Sequence, residues 1–136
     1  MYLLGIPLLL IPFAIYNIMA FILGMSFTET VFEVPMLSRA VLAVTAGDLL
    51  VMFAILLLYV EILKATRLGS RAILDHVLSL VLFLFMAAEF MIVAQAATGT
   101  FLLLLLVSLL DVVAGFSITI QTAQRDLSVG GVERMG

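Results

Sequence analysis

Residues 79–95 read SLVLFLFMAAEFMIVAQ. They sit in the middle of an apolar run long enough to cross a bilayer, and they carry one carboxylate, Glu89. A hydrocarbon core about 30 Å thick takes about 20 helical residues at 1.5 Å rise each. An acid inside such a run is costly and calls for a partner. Reading this stretch as a membrane helix therefore fixes the class of the whole chain and poses its main question.

Composition points the same way. Of 136 residues, 65% are hydrophobic and 11% charged, and the mean hydropathy is +1.37. Soluble domains average about 25% charged residues. A soluble fold of this size leaves much of its surface in water and could not hide so much apolar side chain. The expected class is an all-α membrane protein. The net charge of −3 comes from dispersed carboxylates, so no nucleic-acid partner is expected. There is no cysteine, which excludes disulfides, thiolate metal sites and cysteine nucleophiles. With one histidine, His76, and no Gly-rich phosphate loop, no metal, cofactor or catalytic residue is expected. The first apolar run has no basic region before it and no cleavage pattern after it, so it reads as a retained span.

Four stretches reach spanning length: residues 2–25, 40–63, 74–97 and 101–122. Pro7 and Pro12 predict a kink or a late start in the first helix. Residues 26–38 read as an exposed loop holding Glu29, Glu33 and Pro35, with Ser38 placed to cap the second span. Residues 64–71, KATRLGSR, form a basic loop. Thr98-Gly99-Thr100 is too short for anything but an antiparallel hairpin of the last two spans. Residues 125–136 read as a short mobile tail. Lys64, Arg67, Arg71, Arg125 and Arg134 fall on one side and Arg39 on the other. That bias predicts a four-transmembrane-helix antiparallel bundle with both termini cytoplasmic. The expected setting is the lipid bilayer of a cell membrane, a bacterial inner membrane in the simplest case.

Counting from the outer ends places Asn17, Asp48, Glu89 and Asp111 at similar depth, about 12–15 Å in. They form a candidate polar layer with one member per helix. Ser108 shares the Asp111 stripe, Tyr59 shares the Asp48 face, and Asp75 and His76 mark the inner start of the third span. Glu61 points away from Asp48 and pairs with Lys64 or reaches for water. No base lies in the layer, and three carboxylates in a low dielectric cannot all ionise together. Two readings follow. The acids are interhelical glue, each bond worth about 0.6 kcal/mol, or they handle a proton or cation. A basic residue of another subunit is a third way to balance them. The expected function is a non-catalytic accessory, assembly or partner-binding subunit, working as a homo-oligomer or with other membrane-protein subunits. The alternative is a small proton- or cation-coupled transporter built on the same four residues.

Overall fold

The computed structural model describes residues 6–66 and 70–135. Three helices are long and apolar enough to cross a membrane: Ala46–Ala65, Ile73–Ile92 and Gly99–Ile118. A shorter apolar helix covers Leu10–Ile22. Positions 2–5 of the first expected span and 67–69 of the basic loop lie outside the described residues. The chain is therefore mainly helical and membrane-like, as its composition implied, but it also contains a small sheet.

Helix α1 (Leu10–Asn17) continues as a π-helical turn, Ile18–Ile22. It starts late, as the prolines require. The Leu10 amide donates to the Pro7 carbonyl at 3.1 Å and Ile11 to Leu8 at 3.0 Å. Pro12 then falls in the first turn, where an N–H would have no intrahelical partner anyway. Gly24, at φ 61°, turns the chain out of the helix, the left-handed geometry that glycine adopts without strain.

The next segment departs from expectation. Residues 26–45 are no plain loop. Strand β1 (Thr30–Pro35) pairs antiparallel with β2 (Val41–Thr45). Val31, Phe32, Val34, Val41 and Val44 supply the β-branched and aromatic residues that favour a pleated surface. Helix α2 (Ala46–Ala65) starts six residues later than position 40. Ser38 does not cap it. Thr45 does, in the sequence TAGD. The Asp48 amide donates to Thr45 Oγ1 at 3.1 Å, and the Thr45 amide donates to Asp48 Oδ2 at 3.0 Å. This reciprocal pair satisfies two amides that the helix start leaves open.

Helix α3 (Ser70–Ile92) ends earlier than expected and is followed by a single 3₁₀ turn, Ala94–Ala96. Helix α4 (Gly99–Met135) does not stop at Thr122 but runs on for 37 residues in all, about 55 Å. No proline interrupts positions 122–135, and the glycines at 130 and 131 only lower helix propensity.

Helix α4 is the central element, packed against both α2 and α3. The core holds Leu50, Ala54, Leu82, Met86, Leu104 and Val107 in its body. It closes on an aromatic group at the hairpin end. Tyr16 stacks on Phe27 at 4.3 Å and meets Phe101 edge-on at 4.9 Å. Leu8 bonds to Glu61 near the end of α2, and Phe27 bonds to Gly47 near its start. Residues 8–27 thus run the length of α2 in the opposite direction. The outward faces of α2, α3 and α4 carry exposed Met52, Leu56, Phe85, Met91 and Leu110, as lipid-facing helices do.

Gly47 permits the closest approach. Its amide donates to the Phe27 carbonyl at 2.9 Å. A Cβ there would collide with Thr100 Oγ1 and stand 2.9 Å from the Phe27 oxygen. Gly99, by contrast, has open space where a Cβ would stand, with nothing within 4 Å. Replacing Gly47 with Val should destabilise the fold by about 1–3 kcal/mol, the usual cost of overpacking. Gly99→Ala should be neutral or stabilising by up to about 1 kcal/mol. Unfolding by a denaturing detergent titrated into mild micelles measures both.

Candidate functional site

The polar side chains gather at two ends of the bundle. The first group lies where α2 ends and α3 begins. Glu61 and Lys64 are three residues apart, so they share one face of α2. Helix α3 contributes Asp75, His76 and Ser79, and α4 contributes Ser108 and Asp111. All seven are buried.

Lys64 sits at the centre. Its Nζ donates to Glu61 Oε1 at 3.0 Å, to Asp75 Oδ1 at 3.3 Å and to the Ile6 carbonyl at 2.9 Å. Glu61 Oε1 also accepts from the Leu8 amide. One ammonium therefore ties the segment before α1 to α2 and α3. The chain ahead of Leu10 has no helix to satisfy its amides, so Glu61 and Lys64 supply partners that the backbone lacks. Asp111 joins from α4, accepting from Ser79, with Glu61 and Asp75 close enough to repel it and Lys64 to attract it. His76 packs on α4. Its ring lies over Gly115, where a Cβ would come within 2.8 Å, and 5.6 Å from the Phe116 ring.

The second group is at the hairpin end. The Tyr16 hydroxyl donates to the Gln95 carbonyl at 2.9 Å and lies 2.7 Å from Thr98 Oγ1. Thr98 also accepts from the Phe101 amide at 3.1 Å, capping α4. The Asn17 amide bonds to Glu89 and to the Phe13 carbonyl at 3.0 Å. Glu89 Oε2 is buried without a hydrogen-bond partner among the described residues. A cleft of about 500 Å³ opens here, lined in part by Gly24, Thr28, Thr45, Asp48, Thr98 and Thr100.

The four-residue layer expected from the sequence does not form. Asn17 and Glu89 meet. Asp48 is exposed and caps α2. Asp111 lies with Glu61 and Asp75, well away from Glu89, since its partner Ser79 is ten residues before Glu89, about 15 Å along α3. The cause is the shift in helix ends. Helix α2 begins at Ala46, so Asp48 is in its first turn. Helix α3 ends at Ile92, so Glu89 is in its last. Helix α4 begins at Gly99, so Asp111 is more than three turns deep.

The secondary candidates divide as well. Asp75, His76 and Ser108 are buried, Asp75 and His76 within the charged group. Tyr59 is 65% exposed on the outside of α2. The expectation that no base lies near the acids of the layer fails for Asp111 alone, which Lys64 attracts; among the described residues Glu89 has only Asn17. Lys64, assigned to the loop by its place at the end of an apolar run, turns inward. The signal for it was the Glu61–Lys64 spacing with Asp75 eleven residues on. Among the described residues, no group of three His, Cys, Asp or Glu side chains is arranged to hold a metal ion.

No protein-family model, curated protein or solved structure matches this chain. What the arrangement can do follows from its own chemistry. A buried ion pair is weak evidence of net stability, but removing one partner strands the other. Lys64→Met should cost about 3–5 kcal/mol, because Glu61 and Asp75 lose their common base. The triple variant Glu61→Gln, Lys64→Met, Asp75→Asn should recover part of that loss. Detergent unfolding of the parent and both variants side by side checks the order.

Proposed function

We propose that this chain is a non-catalytic, four-span membrane protein that serves as an accessory, assembly or partner-binding subunit. The observation that carries the reading is the closed hydrogen bonding around Lys64. Its ammonium is engaged by two carboxylates and a backbone carbonyl, an arrangement that fixes helices against one another. A carrier needs a group that exchanges partners during its cycle, and Lys64 is committed to structural ones.

The four-span reading rests on the path of residues 8–27, which are tied to both ends of α2 although helix α1 itself is short. Both termini then fall on the side of the charged group. Lys64 is withdrawn from the basic loop, so the orientation rests on Arg67, Arg71, Arg125 and Arg134 against Arg39. The excess remains large and puts both termini in the cytoplasm, with the hairpin on the far side. The cellular location is the cell membrane, a bacterial inner membrane in the simplest case. Second copies or other membrane subunits would meet its lipid-facing helix surfaces.

A specific observation favours a second reading, proton or cation transport. Glu61, Asp75 and Asp111 surround a single ammonium, leaving an excess of carboxylate that a proton or cation would balance. Reconstitution in sealed vesicles separates the two. The accessory reading expects no flux of protons or monovalent cations across imposed gradients, and a second polypeptide retained after mild extraction. A flux that disappears in Asp111→Asn while the helices stay folded would replace it with the carrier reading. Reporter fusions at Gly136 and within residues 36–40 should report opposite sides; the same side would overturn the four-span topology.

A further inference from the structure

Strands β1 and β2 carry more apolar side chain than a water-exposed hairpin needs. The register places Phe32 opposite Val44 and Val34 opposite Leu42, with Glu33 opposite Ala43. Since side chains alternate along a strand, Phe32, Val34, Leu42 and Val44 share one face and Glu33 lies on the other. On that face Val44, at the base, is buried and Val34 half-buried, while Phe32 and Leu42 are about half exposed; Met36 and Leu37 at the tip are exposed, Leu37 completely. A two-stranded hairpin is marginal in water by itself, and an exposed apolar face of this kind marks a contact surface.

The position of the hairpin identifies what covers that surface. Strand β2 runs into α2 without a linker, Thr45 being both the last strand residue and the helix cap. The base of the hairpin is thus held at the mouth of a helix that reads as a membrane span. Val31, at the register irregularity between Thr30 and Phe32, lines one apolar groove with Ile15 and Met19 of the first helical segment and Leu49 and Phe53 of α2, so the base of the hairpin adjoins the apolar surface of the helices. At the tip, Arg39 adopts φ 73°, a left-handed conformation that side-chain-bearing residues rarely take. It places the one basic residue of this side beside Met36 and Leu37, and a long cationic side chain next to apolar ones suits the lipid headgroup boundary.

We infer that the hairpin is an interfacial anchor, its Phe32–Leu42 face and Leu37 tip lying in the headgroup–acyl boundary of the bilayer, with Glu33 toward water and Arg39 at the phosphates. The inference rests on the membrane reading of the helices, and its test carries a control for that. The chain contains no tryptophan, so single-tryptophan variants report one site each. Phe32→Trp, Leu37→Trp, Glu33→Trp and the helix control Leu56→Trp are reconstituted in phosphatidylcholine vesicles brominated either near the headgroup or near the chain ends. Emission from Phe32→Trp and Leu37→Trp is expected to be blue-shifted, quenched by the shallow bromines and protected from aqueous iodide. Glu33→Trp should show the reverse, and Leu56→Trp should be quenched by the bromolipids throughout. Emission from positions 32 and 37 that is water-like and iodide-quenched overturns the anchor. So does emission that is blue-shifted but insensitive to every bromolipid, which would mean that protein covers the face. Failure of the Leu56→Trp control to respond to lipid would instead overturn the membrane reading of the helices.

Discussion

The lone lysine of this chain holds the charged end of the bundle together. A lysine at the end of an apolar helix ordinarily extends its stem along lipid and leaves its ammonium in water. Lys64 does the opposite. It turns into the bundle, where Glu61, Asp75 and the Ile6 carbonyl receive its three protons. Each ammonium proton has an acceptor, so the cost of taking the charge out of water is offset by charge-assisted bonds. Asp111 from α4 then brings the third long helix to the same level.

That junction explains why a short first helix suffices. Two prolines delay α1, and the amide and carbonyl groups ahead of it need partners inside an apolar environment. Glu61 and Lys64 provide them at Leu8 and Ile6. At the far end, Gly47 lets α2 approach Phe27 and Thr100 closely, and Tyr16 bonds to Gln95 and Thr98. The first segment is pinned at both ends by polar bonds, with aromatic packing between Tyr16, Phe27 and Phe101 at the hairpin end. Its stability comes from tertiary bonds more than from helix length, since helices this short are marginal alone.

The helical, membrane-like class was legible from apolar run length alone, because hydrocarbon thickness sets that length. The close pairing of the last two long helices and the late start at Pro7 and Pro12 were legible for equally local reasons, although the link itself falls at 93–98 and Gly99 and Thr100 already belong to α4. Apolar length does not say where a helix begins, however. Residues 40–45, AVLAVT, suit a strand as well as a span, and the cap at Thr45 settled the choice through a hydrogen-bond pair with Asp48. Six residues of error at that end, and five at the end of α3, moved Asp48 to the surface and separated Glu89 from Asp111. Depth along a helix is only as good as its ends. The Glu61–Lys64 pair was legible from its spacing, but its direction was not: a residue at a span boundary can face either way, and Asp75 with the unsatisfied backbone before α1 draws it inward. The Asn17–Glu89 contact survived because both residues sit near the hairpin-end termini of helices running in the same direction.

Because the chain has a single lysine, its side-chain nitrogen can be observed alone. The most direct measurement is solid-state NMR of the protein in bilayers, with ¹⁵N in the lysine Nζ and ¹³C in the Asp and Glu carboxyl groups. The buried junction predicts strong dipolar dephasing of the ammonium by one Glu and one Asp carboxylate, no exchange contact with water, and resistance to a water-soluble amine-reactive reagent. An ammonium that exchanges with water, reacts freely and shows no carboxylate coupling would contradict it.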